Sequence, residues 1–337
     1  MKNRQIYPLV LLLASALALS CNNELVTIEG AKDIPVVYAI LSQKDTATYI
    51  RVERAFSDPT RNAFEVAQIP DSLYYTDAKV SMVRIKGNER FDLTQVDGNT
   101  EGYPRKDGIF AKAPNKVYKI KTALLNMKAD EDWRIEVIRQ GKTIAKELTQ
   151  IVGSYSLTTV NKTLFFRPDN QFSLSIEADD NEQKGRVYEA NIILNIDETL
   201  NGATQVKKYV WAFDFIDNRG RIGATSFDPN ITFQRRAKEF YDYLGNNVPI
   251  VTGISRTIKS VDIEVLIGGQ EFIDYRKRFN SNSGITGSQT ILNYTNAGGS
   301  LGFVGSRNRV LVTDFKLSNE TLDALKNTDV TKNLGFK

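Results

Sequence analysis

Residues 187–197 read VYEANIILNID and residues 206–216 read VKKYVWAFDFI, with Asn201-Gly202 between them. Both segments are rich in the β-branched and aromatic residues that fit a pleated surface. Asn-Gly accepts positive φ at both central positions of a tight turn, so it closes two-residue hairpins well. The pair predicts a long antiparallel hairpin and places the chain among β proteins.

Working outward, the rest of the second half has the same character. Phe172–Ala178 (FSLSIEA) alternates and Val261–Gly268 (VDIEVLIG) is a buried-type run. Phe303–Phe315 contains a strand at Arg309–Thr313. Helical spacing appears at Arg236–Leu244, where Ala237, Phe240, Tyr241 and Leu244 share a face, and again at Gln270–Phe279. Ser318 caps a last helix over Asn319–Lys326, with Leu322 and Leu325 facing inward.

Toward the N-terminus, Ile34–Ile40 and Thr48–Val52 form a hairpin through Lys44-Asp45-Thr46. Residues 57–69 change to a helical period, with Ser57 or Asp58 as cap, Pro59 in the first turn and a stop before Pro70. Strands follow at Lys79–Lys86, Phe91–Leu93, Val117–Leu124, Trp133–Arg139 and Thr143–Val152; residues 97–108, with three Gly and one Pro, form a loop. Strands about 8–12 residues apart with turns between them indicate a sandwich. The expected architecture is mainly β: an Ig-like β-sandwich over 34–152, then a second strand-rich domain over 153–337 with two or three short helices. Gly153–Asn170 either bridges two domains or belongs to one continuous sheet. No internal repeat is present.

The start of the chain is an address. Lys2 and Arg4 precede an apolar run from Ile6 to Leu19, then Ala18-Leu19-Ser20-Cys21. The run is too short to span a bilayer, which needs roughly 20 apolar residues. Basic start, short apolar middle and small residue at the cut site are the secretory pattern. The Cys directly after Ser20 matches the lipobox, although Ala18 stands where Leu is usual. Residues 1–20 are read as a lipoprotein signal peptide cleaved between Ser20 and Cys21, with acyl chains on Cys21 holding the protein to the membrane and residues 21–33 as a tether. The plainer alternative is an ordinary signal peptide followed by a free thiol.

Composition narrows the chemistry. The net charge of +4 falls to +2 once Lys2 and Arg4 leave, which gives no case for nucleic-acid binding. Histidine is absent and Cys21 is the sole cysteine. A Ser-His-Asp triad, a Cys-His pair, a disulfide and a His- or Cys-ligated zinc are all excluded. No motif implies a cofactor. Asp97-x-Asn99-x-Glu101-Gly102 resembles the start of a calcium loop, but its twelfth position is Gly108 and Arg105 and Lys106 intrude. Asp179-Asp180-Asn181-Glu182 could gather oxygens and is otherwise a charged turn. Neither is taken as a metal site. Trp133 and Trp211 could stack on sugars, yet each sits in an alternating strand and is read as core. Gly298–Arg307 lacks the Gly-Lys-Ser/Thr of a phosphate loop; its glycines suggest tight turns or close backbone packing. Tyr241, Tyr243, Tyr275, Arg276, Lys277 and Arg278, on the two helices, form an aromatic and basic group of the kind enriched at interfaces.

Ile34–Ala55 (IPVVYAILSQKDTATYIRVERA), the segment ending IPDSLYY and the Gly298–Arg307 stretch together resemble the uncharacterised outer-membrane lipoproteins of Bacteroidota, often encoded near TonB-dependent transporters. The resemblance implies an outer-membrane location, on its periplasmic or cell-surface face, and a transporter as partner. It carries no catalytic residues. Asp45-Thr46-Ala47 and Asp71-Ser72-Leu73 resemble the tripeptide those bacteria O-glycosylate, which implies sugar on Thr46 and Ser72; the residues alone imply turns shaped by Asp45 and Asp71.

The leading expectation is a non-enzymatic binding or accessory subunit at the outer membrane. A surface glycan-binding or glycan-degrading lipoprotein would instead show a groove lined by exposed aromatics. An adhesin-like stalk would show rigid sandwiches without a pocket.

Overall fold

The computed structural model describes residues 34–55, 62–158, 161–179, 185–217, 230–281, 295–296 and 299–337; for 278–281 it describes the backbone alone. The leader, Ser20, Cys21 and the tether lie outside these residues, as do Ser57, Asp58 and Pro59.

The first half runs β1 (Ile34–Leu41), β2 (Ala47–Ala55), α1 (Ala63–Ala67), α2 (Pro70–Leu73), β3 (Lys79–Arg84), β4 (Glu89–Asp92), β5 (Thr94–Asp97), β6 (Lys116–Lys121), α3 (Thr122–Leu125), β7 (Asp132–Arg139) and β8 (Lys142–Gln150). The second half runs β9 (Tyr155–Leu157), β10 (Thr163–Leu164), β11 (Gln171–Ala178), β12 (Val187–Leu200), β13 (Ala203–Ala212), β14 (Ile216–Asp217), β15 (Asn230–Arg236), α4 (Lys238–Asn247), β16 (Ser255–Gly268), α5 (Gln270–Ser281), β17 (Leu301–Leu317) and α6 (Asn319–Asn327).

The protein is mainly β, built as sandwiches. One sheet runs β13-β12-β16-β17-β1-β2-β6-β5, with β14 beside β12 and β10 beside β17. A four-stranded sheet, β4-β3-β7-β8, shares a core with its β1 end. That core holds Val37, Leu41, Ile50, Val52, Met82, Trp133, Ile135, Val137 and Val304. A three-stranded sheet, β15-β11-β9, with α4 and α6, covers the β12 end around Phe166, Leu194, Trp211, Phe240, Ile263 and Leu325. Phe166 stacks on Phe240 at 4.2 Å between centroids and meets Trp211 edge-on at 5.8 Å. Such aromatic pairs add ~0.5–1.5 kcal/mol each beyond burial.

The two apolar cores divide near residue 152, but the main sheet does not. β17 serves both halves. Leu301–Ser306 pair in parallel with Val36–Leu41 of β1, and Arg307–Phe315 pair antiparallel with β16. The first sandwich therefore includes a strand from the far end of the chain, and Val304 completes its core. Gly302, at φ +116°, permits this approach: a Cβ there would lie 2.0 Å from the Val37 carbonyl oxygen. Where β17 changes partners stands fully buried Ser306. Its hydroxyl donates to the Leu41 carbonyl at 3.2 Å and accepts from the Val152 amide at 2.9 Å.

The expected hairpin is present. β12 and β13 pair along their length, with Asn201 and Gly202 at φ +51° and +81°. Other elements differ from expectation for local reasons. The single helix over 57–69 is replaced in the described residues by α1, capped by Asn62 through the Phe64 amide at 2.9 Å, and by α2, which begins on Pro70. Proline lacks an N–H and has φ pre-set, so it starts a helical turn as readily as it ends one. The strand expected over Val117–Leu124 stops at Lys121, because Thr122–Leu125 coil into α3. The strand expected at Arg309–Thr313 is the middle of β17.

Replacing Ser306 by Ala leaves the buried Val152 amide unpaired. The expected result is a loss of ~1–3 kcal/mol, measured as a lowered urea midpoint at unchanged slope. Gly302→Ala should cost more, because backbone atoms must move.

Candidate functional site

Alternation along β1 and β2 creates an exposed face. Val37, Ala39 and Leu41 point into the core, so Val36, Tyr38 and Ile40 point out. On β2 the outward residues are Tyr49, Arg51 and Glu53. Registers set them in rows: Leu301, Val36 and Glu53; then Phe303, Tyr38 and Arg51. Tyr38 is 47% exposed and Tyr103, on the loop after β5, 58%. The Tyr103 ring lies 4.8 Å from that of Tyr49, tilted by 58°. At the β17 side, Phe272 and Tyr275 of α5 meet Phe303 edge-on at 4.9 and 5.6 Å.

Two depressions meet on this face at Tyr38. One, of about 290 Å³, is lined by Tyr38, Ile40, Tyr49, Tyr103, Asp45 and Arg307 among others. The other, of about 540 Å³, is lined by Val36, Glu53, Phe64, Phe110, Leu301 and again Tyr38. Several charges around them are engaged in ion pairs. Arg51 donates to Glu53 at 3.2 Å, and Arg105 donates to the same carboxylate. Arg307 lies 3.4 Å from Asp45. Glu101 accepts from the Tyr49 hydroxyl at 2.8 Å and from Lys119. Lys119 and Tyr49 hold the Glu101 carboxyl below the usual range, and the same pairing lifts the Lys119 ammonium. Burial, reinforced by Glu101, pushes the Tyr49 phenol up; burial and then Glu53 do the same for Tyr38. Both phenols stay protonated at neutral pH.

Side chains hold the loop that carries Tyr103. Asp97 Oδ1 accepts from the amides of Asn99 and Asn115 at 2.9 and 3.2 Å. Asn99 Oδ1 accepts from the Arg105 amide at 3.1 Å, and fully buried Asn115 donates to the Tyr103 carbonyl at 2.8 Å. The oxygens spaced like a calcium loop thus face protein donors. Among the described residues no group of three or more Asp, Glu, His or Cys is placed to hold a metal ion. Asp179 accepts from the Ser156 hydroxyl at 2.6 Å; Asp180, Asn181 and Glu182 lie outside the described residues.

The structure separates the aromatic and basic group expected on the helices. Tyr241 is not a surface residue: it is fully buried, and its hydroxyl donates to the Phe166 carbonyl at 2.5 Å. Helical spacing showed that it shared a face with Phe240 and Leu244, and that face turns inward. Tyr243 is half-buried against the same core. α4 packs on β13 and β15, whereas α5 packs on β17 and β12. On α5, Tyr275 is exposed beside Phe303, Arg276 stacks on the Phe215 ring at 3.8 Å and Lys277 pairs with Asp274 at 3.7 Å. The Arg278 side chain lies outside the described residues. Trp133 and Trp211 are core residues. Thr46 is exposed at the β1–β2 turn; Ser72 is half-buried, and its hydroxyl donates to the Val66 and Ile69 carbonyls at 2.5 and 2.6 Å. Missing from the sequence-derived sites were Tyr38, Tyr49 and Tyr103. One signal was available: β1 is apolar or aromatic at both parities, so whichever face packs inward, the other exposes large residues.

No family model and no curated protein matches the chain. Among solved structures it is similar to the C-terminal globular domain of the oligosaccharyltransferase of Pyrococcus abyssi, at 9% identity and a TM-score of 0.22. The alignment covers 70% of this chain and 47% of that one. A likeness at that score carries no argument.

Tyr241 gives a pH signature. Burial pushes its phenol up to about 12 from an ordinary 10.0. The folded state then holds a proton that the unfolded state releases between these values, so this contribution is complete below pH 10 and is lost as pH rises toward 12. Tyr241→Phe should flatten the alkaline fall in stability in that window. At neutral pH it should cost ~1 kcal/mol through the lost hydrogen bond, read from urea unfolding at a series of pH values.

Proposed function

We propose that this chain is a non-enzymatic cell-envelope lipoprotein that binds its ligand on the outer face of β17, β1, β2 and β6, serving as a binding subunit at the outer membrane beside a TonB-dependent transporter. The observation that carries the reading is the continuous exposed face on which two depressions meet at Tyr38. Tyrosine and arginine are enriched where binding energy concentrates, and here Tyr38, Tyr49 and Arg51 sit on the sheet while Tyr103 is on a loop tied down by Asn115. Support for a non-catalytic role comes from the carboxylates lining the depressions. Asp45 is paired with Arg307, and Glu53 with two guanidiniums. The chain has no histidine, and the carboxylates described on the groove are engaged by guanidiniums. Lipid anchoring and the transporter rest on the leader, on Cys21 and on the resemblance described above. Among the described residues no helix is long and apolar enough to cross a membrane.

Two measurements test this. Growth with a labelled fatty acid should label the wild-type protein and not Cys21→Ser, which should appear in the soluble fraction; an unlabelled wild type overturns the anchor. Affinity recovery of the intact protein from outer membranes in mild detergent should yield a stoichiometric membrane transporter. Tyr38→Arg with Tyr103→Arg should abolish recovery of the transporter while the unfolding curve still shows a cooperatively folded protein. Recovery of the protein alone counts against the subunit role.

A further inference from the structure

We infer that the ligand of this face is a neutral glycan, bound face-on across Tyr49, Tyr103 and Tyr38. The inference rests on the binding role proposed for the face and adds the chemistry of what it takes.

Backbone pairing removes one class of ligand. β1 lies between β17 and β2, and β2 lies between β1 and β6. Around Tyr38 and Tyr49 the backbone groups are paired within the sheet, Val36–Leu41 to β17 and Ala47–Ile50 to β6, so an extended peptide finds no strand edge to join at the smaller depression. Whatever binds must be recognised by side chains from above.

Charge weighs against another. The cations on the smaller depression are engaged by carboxylates: Arg307 by Asp45, Arg51 by Glu53, which Arg105 shares, and Lys119, next to Tyr49, by Glu101. A phosphate, sulfate or uronate there would meet those carboxylates beside each cation it sought. The resulting pairs still offer donors and acceptors side by side, which suits a hydroxyl, since a hydroxyl both gives and takes a hydrogen bond.

What remains is shape. A pyranose has an apolar C–H face and a rim of hydroxyls. Phenol rings match the first, and the Asp45–Arg307 and Arg51–Glu53 pairs match the second. Tyr49 is preset for this role, because its hydroxyl is tied to Glu101 and its ring packs on Tyr103. A ring already held in place loses little freedom on binding. At about 290 Å³ the depression is at the small end of ligand sites. Tyr38 also lines the second depression of about 540 Å³, which carries the exposed rings of Phe64 and Phe110. A linear chain of sugars laid over Tyr38 would occupy both.

The test uses the full chain, purified in mild detergent, on an array of neutral glycans (glucans, mannans, xylans, galactans) beside sulfated and uronate-containing ones. Hits are then titrated calorimetrically at low and high salt. The expected result is binding to at least one neutral class, unaffected by salt and weakened about tenfold by Tyr38→Ala and by Tyr103→Ala. Both residues are exposed, and the unfolding curve of each variant checks its fold. Binding confined to charged glycans, or neutral binding that survives both substitutions, overturns the inference. An array without any binding also overturns it. In that case the Tyr38→Arg, Tyr103→Arg pair in the membrane-recovery experiment decides the wider reading separately: a transporter lost from the variant keeps the face and rejects the glycan, while a transporter retained rejects both.

Discussion

The structure depends on the division of one strand between two partners. β17 gives its first six residues to β1 and most of the rest to β16. Backbone geometry sets the condition for this. Gly302 lets the strand lie against Val37 where no side chain would fit, and Ser306 satisfies both the Leu41 carbonyl and the Val152 amide at the crossing. Buried amides without partners are costly, so the hydroxyl at this junction ties β1, β17 and the segment just after β8 into one arrangement. The long sheet, and the rows of side chains on its outer face, follow from that register.

The exposed tyrosine face is a product of the same constraint. The inner side of β1 and β2 is consumed by the first core, so their outer side is left to Tyr38, Tyr49 and Arg51. β17 extends the face with Leu301 and Phe303, and α5 stands at its border through Phe272 and Tyr275. Asn115, buried in the loop between β5 and β6, holds the Tyr103 carbonyl and so places the second ring of the pair. Residues distant in sequence thus form one surface, with paired charges at its rim and aromatic rings at its centre.

Local features were legible in the sequence. Asn201-Gly202 stands at the hairpin turn, Ser318 caps the last helix through the Thr321 amide, and Trp133 and Trp211 are core. The glycines near residue 300 were readable as a sign of close backbone packing, which Gly302 displays. Nonlocal features were not legible. Hydrophobic alternation shows that β1 and β17 are strands, but nothing in it pairs residues 265 apart, as Leu41 and Ser306 are. The helical tyrosines show a second limit. Tyr241 and Tyr275 are chemically alike, yet one lies under α4 against Phe166 and the other is exposed on α5 beside Phe303, because spacing reveals a shared face without revealing which way it turns. The site on β1 and β2 escaped for a related reason: Tyr38 looked like one more apolar residue in a buried strand until the register gave it neighbours.

The parallel pairing of β1 with β17 also orders events in time. A ribosome makes β1 among the earliest structured segments and β17 among the last, and closing so long a loop is entropically slow. Until the C-terminal strand arrives, β1 exposes an unsatisfied edge and the first core lacks Val304. An open strand edge of this kind invites pairing with other chains. Completion of the N-terminal sandwich therefore waits until synthesis has passed β17. A chain without β17 would lack Leu301 and Phe303 beside Val36 and Tyr38, and Val304 in the first core, although every tyrosine of the N-terminal half remains.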